Sequence, residues 1–325
     1  MKISRNFILF LVRYGLFMAL GLWILIMSFT SEHFFTLYNF LNVLRQASPV
    51  IIVAVGMTFV IATAGIDLSV GSMVALISVI CASVINSGMQ IELAIPIILF
   101  IGGVTGAING LFVIIGLPAF VVTLAALTYI RGIAFVYSNG YASPIKSESF
   151  NWIGRGWIGG IPVPIIVAGL VAIAGWFILN RTRLGIYVLA IGGREEAAHS
   201  MGINVNLVKF LVYTATGALA AVSSIIISAR LSNGSPNAGI MFELDVIAAT
   251  VLGGTSLFGG SATIAGTIAG ALFINVVRNS LNLMGVYPFW VQVVTGLILL
   301  IAVLLNTVVN NWVKNWVRIS ELETQ

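Results

Sequence analysis

Long, unbroken apolar segments constrain the fold of this chain more than any other feature of its sequence. Hydrophobic residues make up 59% of the 325 positions and charged residues only 8%, whereas soluble domains carry roughly 25% charged residues. So few charges cannot cover a water-exposed surface. The apolar segments do not alternate with polar residues, which favours transmembrane helices over the strands of a barrel. We therefore predict an all-α helical bundle in a membrane, formed as one domain over residues 1–325.

The sequence predicts about ten membrane-spanning helices, because one helical crossing needs about 20 apolar residues. Lys2, Arg5 and Arg13 precede the apolar run 14–29 of the first predicted span. This start resembles a signal peptide, but no A-x-A cleavage pattern comes after it, so we interpret it as an uncleaved span. Glycines predict broken or short helices near 65–71 and 245–260. The predicted spans are 10–29, 49–65, 70–86, 92–115, 117–137, 162–179, 208–229, 244–258, 261–280 and 287–309.

Basic residues predict the orientation of these spans, because Lys and Arg concentrate in cytoplasmic loops. They cluster in the N-terminal tail, in the loop 180–209 and in the C-terminal tail 310–325. Six predicted spans and then four separate these regions, so a ten-span arrangement places all three in the cytoplasm. Five spans precede and five follow the outer loop 138–161, which is the pattern of two inverted repeats. Trp312 and Trp316 predict a short interfacial helix in the C-terminal tail.

The loop 180–209 predicts a short helix on the cytoplasmic side. Two glutamates fall in its first turn, where they complement the helix dipole, two alanines and a methionine supply a small apolar face, and a glycine ends it. One interpretation is a docking helix that inserts into a groove of a soluble partner. The other is a solvated loop whose charges set the topology. The candidate docking residues are Arg194, Glu195, Glu196, Ala197, Ala198, Met201 and Gly202.

Four polar residues in apolar surroundings are candidates for a translocation path. Asp67 and Ser69 lie in the glycine-flanked segment 65–71. A carboxylate at membrane depth is costly and usually functional, which favours an interrupted helix beside the path. The alternative is a tight turn in which Asp67 caps the next helix. Asn109 and Asn275 lie within predicted spans, where they either line the path or make interhelical hydrogen bonds.

Two pairs of residues are candidates for contact with an external partner. Trp152 and Trp157 lie in the outer loop 138–161, and tryptophans there are also typical of an interfacial aromatic belt. Glu243 and Asp245 precede a short apolar run, where carboxylates are also typical helix N-caps. Both alternatives stay open for each pair.

The remaining unusual residues predict packing and anchoring. Glycines recur every four positions at 102, 106 and 110 and again at 266 and 270, which predicts close contacts between helices. Arg131 and Arg278 lie in or near span ends and are expected to extend towards the interface. Cys81 is the only cysteine and lies in an apolar run, so we interpret it as a packing residue.

The sequence carries no motif for chemistry on the chain itself. It contains no G-x-x-x-x-G-K-[ST] string for nucleotide phosphates, no H-E-x-x-H string and only two His residues. We therefore expect no cofactor, no bound metal and no catalytic residue. The net charge of +5 arises from residues at membrane edges, so it does not indicate nucleic acid. A membrane enzyme is the weakest hypothesis, because no nucleophile and base can be paired.

Several longer motifs, in order along nearly the whole chain, resemble the permease subunits of ribose-type sugar ABC importers, which include the ribose, arabinose and xylose group. The motifs are Val55-Gly-Met-Thr-Phe-Val-Ile, Gly65-Ile-Asp-Leu-Ser-Val-Gly71, Leu117-Pro-Ala-Phe-Val-Val-Thr-Leu124 with Arg131-Gly132, Arg181-Thr-Arg-Leu-Gly185, Ala190-Ile-Gly-Gly193, Glu196-Ala-Ala198, Gly202-Ile-Asn-Val205, and Glu243-Leu-Asp-Val-Ile-Ala248 through Gly253-Gly254.

This resemblance implies an ATP-driven importer of a ribose-like monosaccharide in the bacterial cytoplasmic membrane. It implies a separate ABC ATPase, a periplasmic or lipoprotein sugar-binding protein as the external partner, and a second permease subunit that is a copy of this chain or a paralogue. It assigns ATPase docking to Glu196, Ala197, Ala198 and Gly202. From the residues alone a second hypothesis stays open, an ion-coupled secondary transporter with Asp67 as the coupling carboxylate.

Overall fold

The computed structural model describes residues 5–287 without a break, and then 289–294, 296–298, 300, 301 and 304. The predicted interfacial helix around Trp312 and Trp316 and the end of the predicted span 287–309 lie outside the described residues. The helices are α1 (Arg5–Thr30), α2 (Leu37–Ala62), α3 (Val70–Asn86), α4 (Ile91–Ile114), α5 (Ala119–Ser138), α6 (Glu148–Arg155), α7 (Val163–Arg181), α8 (Arg183–Gly193), α9 (Glu195–Ser200), α10 (Val205–Leu231), α11 (Phe242–Leu252) and α12 (Ile264–Leu283).

Short strands connect the loops at one end of the bundle. The strands are β1 (Ser143–Pro144), β2 (Trp157–Ile158), β3 (Ile161–Pro162) and β4 (Asn233–Gly234), and β1 pairs antiparallel with β4 while β2 pairs antiparallel with β3. Within the described residues, six helices are long and apolar enough to cross a membrane, namely α2, α4, α5, α7, α10 and α12. The prediction of an all-α membrane bundle is confirmed, while the number of about ten spans stays a prediction.

Polar caps begin three of the long helices. The Thr36 hydroxyl accepts a hydrogen bond from the backbone N–H of the third residue of α2. Asn204 caps α10 in the same way, and Thr263 caps α12. Such caps satisfy N–H groups that have no partner within the helix. The residue directly before each of these three helices therefore stabilises its first turn.

The interior of the bundle is built around α2 and α10. Every residue from Ala47 to Ala62 on α2 is buried, because this stretch is apolar on all sides and is enclosed by other helices. On α10, Gly217 lies against Gly102 and Gly106 of α4, where an added Cβ would collide with backbone atoms. Gly270 of α12 lies equally close to the backbone of α11. The predicted close helix contacts at these glycines are confirmed.

Broken or short helices occur near both segments where glycines predicted them. Non-helical residues 63–69 separate α2 from α3, and α11 has only 11 residues. Non-helical residues 232–241 precede α11 and residues 253–263 follow it. Irregular backbone at membrane depth is tolerated where it lies inside protein or lines a cavity, which makes these segments candidates for a functional site.

The two ends of the bundle carry different elements. At one end, which we call the α9 end, the backbone N–H of Gly260 binds the carbonyl of Ala62, and Gly192 packs against both. At the opposite end, which we call the α6 end, the backbone of Gly154 in α6 packs against that of Arg230, and β1 pairs with β4. Loops of the same end thus lie together.

Candidate coupling site and polar network

The short helix predicted in the loop 180–209 is present as α9, Glu195–Ser200. Arg194 is its N-cap and Met201 its C-cap residue. Gly202 follows with φ of +82°, and its N–H binds the carbonyl of His199 at 2.9 Å. A left-handed residue at this position suits glycine and closes the helix end. The predicted short helix, expected over residues 194–201, is confirmed, and it is one residue shorter at each end.

The candidate docking residues divide between an anchored and an exposed set. Ala198 is buried against the bundle, whereas Ala197 and Met201 are exposed. Arg194 and Glu196 are also exposed, with 3.9 Å between their charged groups, and an ion pair of that kind contributes little. The predicted apolar face is therefore split, with Ala198 holding α9 to the bundle and the other side chains available to a partner.

Glu195 connects α9 to α10 instead of facing solvent alone. Its two carboxylate oxygens accept hydrogen bonds from Lys209 Nζ at 2.8 and 2.7 Å. The Lys209 side chain is only 16% exposed, so this pair is better shielded than a surface ion pair and is worth correspondingly more. The sequence predicts Lys209 only as one of the basic residues that set the orientation of the loop 180–209, and it does not predict this contact.

A polar cavity of about 360 Å³ lies beside the Glu195–Lys209 pair. Residues 63–65, Asn206 and Tyr213 contribute to its walls. The Tyr213 hydroxyl donates to the carbonyl of Ile66 at 3.4 Å, in the interruption between α2 and α3. The first turns of α10 therefore contact both α9 and this interruption.

Three of the four predicted path residues form one buried network. Asp67 Oδ1 accepts hydrogen bonds from the N–H of Ser69 at 2.9 Å and from its hydroxyl at 2.6 Å. Asn109 Nδ2 then donates to the Ser69 hydroxyl at 2.8 Å. All three residues are fully buried, and Asp67 Oδ2 has no hydrogen-bond partner among the described residues. Asp67 thus closes a tight turn before α3 inside the bundle. It does not cap that helix as the second interpretation predicted, because the N-cap residue is Ser69 and no side-chain cap bond forms.

Asn275 does not join this network. It lies on α12, and its Nδ2 donates to the carbonyl of Ala271, one turn earlier on the same helix, at 2.9 Å. Its side chain is buried. This arrangement satisfies the amide within its own helix and brings it neither to Asp67 nor to another described side chain.

The four candidates for an external contact also separate. Trp152 and Trp157 are about half exposed at the α6 end. Glu243 and Asp245 are buried in the first turn of α11, so neither carboxylate is presented on the surface. They do not cap that helix either, because its N-cap residue is Met241 and no side-chain cap bond forms. The expectation that they cap α11 is therefore wrong, and the contact of these carboxylates with an external partner stays a prediction.

Asp245 is instead paired with an arginine of the neighbouring helix. Arg278 Nη2 on α12 donates to both of its carboxylate oxygens, at 2.8 and 2.9 Å. The expectation that Arg278 extends to the membrane interface is therefore wrong. Cys81 is fully buried, as expected for a packing residue. The described residues hold no group of His, Cys, Asp and Glu that could bind a metal ion.

A bundle of long apolar helices, interrupted at two buried polar sites, is typical of membrane transport proteins. Residues 39–303 match the family model described as the permease component of branched-chain amino acid transport systems, and the chain belongs to this family. It is a transport subunit of an ABC importer and not an enzyme, as the resemblance implied.

Characterised relatives match over nearly their whole length. The ribose import permease RbsC of Haemophilus influenzae is 44% identical over 302 residues, which cover 91% of this chain and 93% of that protein. RbsC of Bacillus subtilis is 44% identical over 90% of this chain and 92% of its own length. The D-allose permease AlsC of Escherichia coli is 36% identical over 93% of both chains. No solved structure matches this chain.

Proposed function

We propose that this chain translocates a ribose-like monosaccharide as the membrane subunit of an ATP-driven importer. The observation that carries the proposal is α9, which is held to the bundle through Ala198 and Glu195 while Arg194, Glu196 and Met201 face outwards. The substrate class rests on the 44% identity to proteins named ribose import permeases. The chain supplies the pathway, while an ABC ATPase supplies energy and a sugar-binding protein delivers the solute.

The proposed topology puts the α9 end and both chain termini in the cytoplasm, with ten spans in two inverted repeats. The two central helices support this arrangement. Both α2 and α10 are long, and each is followed by a non-helical segment and a short helix, α3 or α11. Packing follows the same correspondence, because α10 lies against α3 and α4 while α2 lies against α11 and α12. The α6 end, with Trp152 and Trp157, then faces the sugar-binding protein.

The contacts within the chain suggest how α9 drives the transport cycle. A partner that moves α9 displaces Glu195, and Lys209 transfers this displacement to the start of α10. Tyr213, one turn further along α10, contacts the carbonyl of Ile66 in the interruption before α3. Rigid elements joined by packed contacts can carry such a coupling free energy. The second permease subunit, a copy or a paralogue, completes the pathway between the two halves.

The proposal predicts that uptake depends on ATP hydrolysis by the partner. We expect the chain, reconstituted with its ATPase and sugar-binding protein in vesicles, to take up ribose or a similar monosaccharide when ATP is present. An ATPase variant without hydrolysis activity should reduce uptake to the background. Undiminished uptake with that variant, lost when an ionophore collapses the ion gradient, would instead identify an ion-coupled secondary transporter.

Asp67 allows a second test of the same alternatives. Asn at this position keeps an oxygen acceptor for Ser69 and supports the same turn, so Asp67→Asn should retain uptake within about threefold. Asp67→Ala removes the acceptor of two buried hydrogen bonds, and uptake should fall about tenfold or more, because unpaired buried donors are costly. Initial uptake rates normalised to inserted protein measure both effects. The control is exposed Ser87→Ala, which loses one bond to a backbone carbonyl at the end of α3 and should leave uptake unchanged. If Asp67→Asn abolishes uptake as Asp67→Ala does, the charge itself is required, and the ion-coupled alternative gains support.

A further inference from the structure

The segment 232–241 enters the bundle without forming a helix. It begins at the α6 end, where β4 pairs with β1, and then runs beside α3. Gly234 packs against the backbone of Ser78, and Gly239 packs against the backbone of Gly71. Only at Phe242 does α11 begin. Carbonyl groups of such a segment need partners inside the protein, because lipid offers none.

Arg131 of α5 provides those partners. Its Nη1 donates to the carbonyls of Pro236 at 3.0 Å and Ala238 at 2.7 Å, and its Nη2 donates to that of Gly239 at 3.2 Å. Arg131 is the thirteenth residue of α5, about 18 Å along the helix at 1.5 Å per residue. Its guanidinium binds carbonyls of the segment 232–241 instead, so the expectation that it extends to the interface is wrong.

Glu243 lies beside the segment that Arg131 holds, but no ion pair or hydrogen bond joins the two side chains among the described residues. Its side chain is buried, and its Oε2 has no hydrogen-bond partner among the described residues. The carboxylate packs against Gly71, where an added Cβ would collide with it. Glu243 Oε2 and the carbonyl oxygen of Gly239, which Arg131 holds, both lie against the same side of Gly71, whereas the neighbouring Asp245 is already paired with Arg278. An unpaired buried carboxylate oxygen is costly, so this acceptor requires an explanation.

We propose that Arg131 is a positioning residue for transport, with two alternative sets of acceptors. In the structure it holds the carbonyls of residues 236–239, and Glu243 is the second partner that binds the guanidinium when this segment moves. A half-buried guanidinium between two acceptor sets has two discrete arrangements, as an element that switches between conformations requires. The inference rests on the proposed transport function, because it assigns the movement to the translocation cycle.

Cysteine labelling tests the first half of this proposal. Cys81 is the only cysteine of the chain and is fully buried, so a probe can be placed at the partly buried Ala238. In nanodiscs, maleimide should label Ala238→Cys about tenfold faster when Arg131→Gln is also present, and to an intermediate degree with Arg131→Lys. A tenfold change in labelling rate lies within the range of roughly 5- to 150-fold that coupling between two sites typically produces. Exposed Asn237→Cys is the reference for full labelling.

The control is Arg155→Gln, because Arg155 also donates to a backbone carbonyl, that of Arg230 at 2.8 Å, but at the α6 end. It should leave labelling of Ala238→Cys unchanged. Unchanged labelling in both Arg131 variants would overturn the positioning role. If Arg131→Gln is not inserted in the membrane, the Arg131→Lys variant decides the same question, because its ammonium keeps the charge and offers fewer bonds in this geometry.

Glu243→Gln tests the second half. The variant keeps the size of the side chain and removes its charge, so labelling of Ala238→Cys should stay unchanged while ATP-driven uptake falls about tenfold. Uptake that stays normal would overturn the assignment of Glu243 as second partner. Labelling needs no ATPase. If the unmodified chain shows no ATP-driven uptake, the proposed function fails while the labelling result still decides the role of Arg131.

Discussion

Replacing Gly202 with proline should abolish ATP-driven uptake while the protein remains inserted in the membrane. Gly202 has φ of +82°, whereas proline fixes φ near −65°. Proline also lacks the N–H that binds the carbonyl of His199. The end of α9 must therefore change conformation, and Met201 and Glu196 shift away from the proposed contact with the ATPase. We expect uptake to fall about a hundredfold, within the range of a lost coupling free energy of 1–3 kcal/mol, and the stimulation of the ATPase by transport to disappear.

A glycine at the opposite end offers a matched control. Gly88 follows α3 with φ of +85°, and its N–H binds the carbonyl of Ile85 at 3.2 Å. An added Cβ would meet nothing within 4 Å at either glycine. Gly88→Pro therefore imposes the same local strain without touching α9, and uptake should change little. Equal loss of uptake in both variants would show that backbone strain, and not docking, causes the defect.

The sequence predicts α9 well because its boundaries are local. The glutamates of its first turn, the apolar positions and the final glycine all lie within eight residues. The local sequence does not determine which side of α9 faces the bundle, because only tertiary packing buries Ala198 and exposes Ala197. The ion pair of Glu195 joins residues 14 positions apart on different helices. No periodicity in the loop distinguishes Lys209 from a topology signal.

The start of α2 shows the same limit for a helix boundary. The apolar run predicts a span from residue 49, but the helix begins at Leu37. The prediction starts too late because the first three turns of α2 contain polar residues that lower the hydropathy. Asn39 exchanges hydrogen bonds with Asn279 of α12 at 3.0 and 2.9 Å. A hydropathy pattern scores such a residue as solvent-exposed, whereas a partner 240 positions away satisfies it inside the bundle.

The polar network and the arginines show which part of the site the sequence reveals. Asp67 and Ser69 are neighbours in the chain, and the turn between them follows from local geometry. The contacts of Arg131, by contrast, span more than 100 positions. An arginine in an apolar segment indicates that some buried acceptor exists, but only the three-dimensional structure identifies the carbonyls that it binds.

The pairing of Asp245 with Arg278 predicts the largest loss of stability in this chain. Asp245→Ala leaves the Arg278 charge without its carboxylate, and breaking a buried ion pair in this way costs about 3–5 kcal/mol. Arg278 is one-third exposed, so the lower end of that range applies. Thermal denaturation of the purified protein in detergent should therefore show a clearly lower midpoint.

The double variant Asp245→Leu with Arg278→Met separates two causes of such a loss, namely the cost of an unpaired charge and the lost attraction of the ion pair. Replacing both charges with apolar groups of similar size is often neutral for stability, so the double variant should melt close to the unmodified protein. Glu148 is a suitable control, because it is an exposed acidic residue in the first turn of α6, and Glu148→Ala should change the midpoint little. If the double variant is as unstable as Asp245→Ala, the loss comes from the missing attraction between the two charges. The cost of leaving Arg278 unpaired would then not explain it.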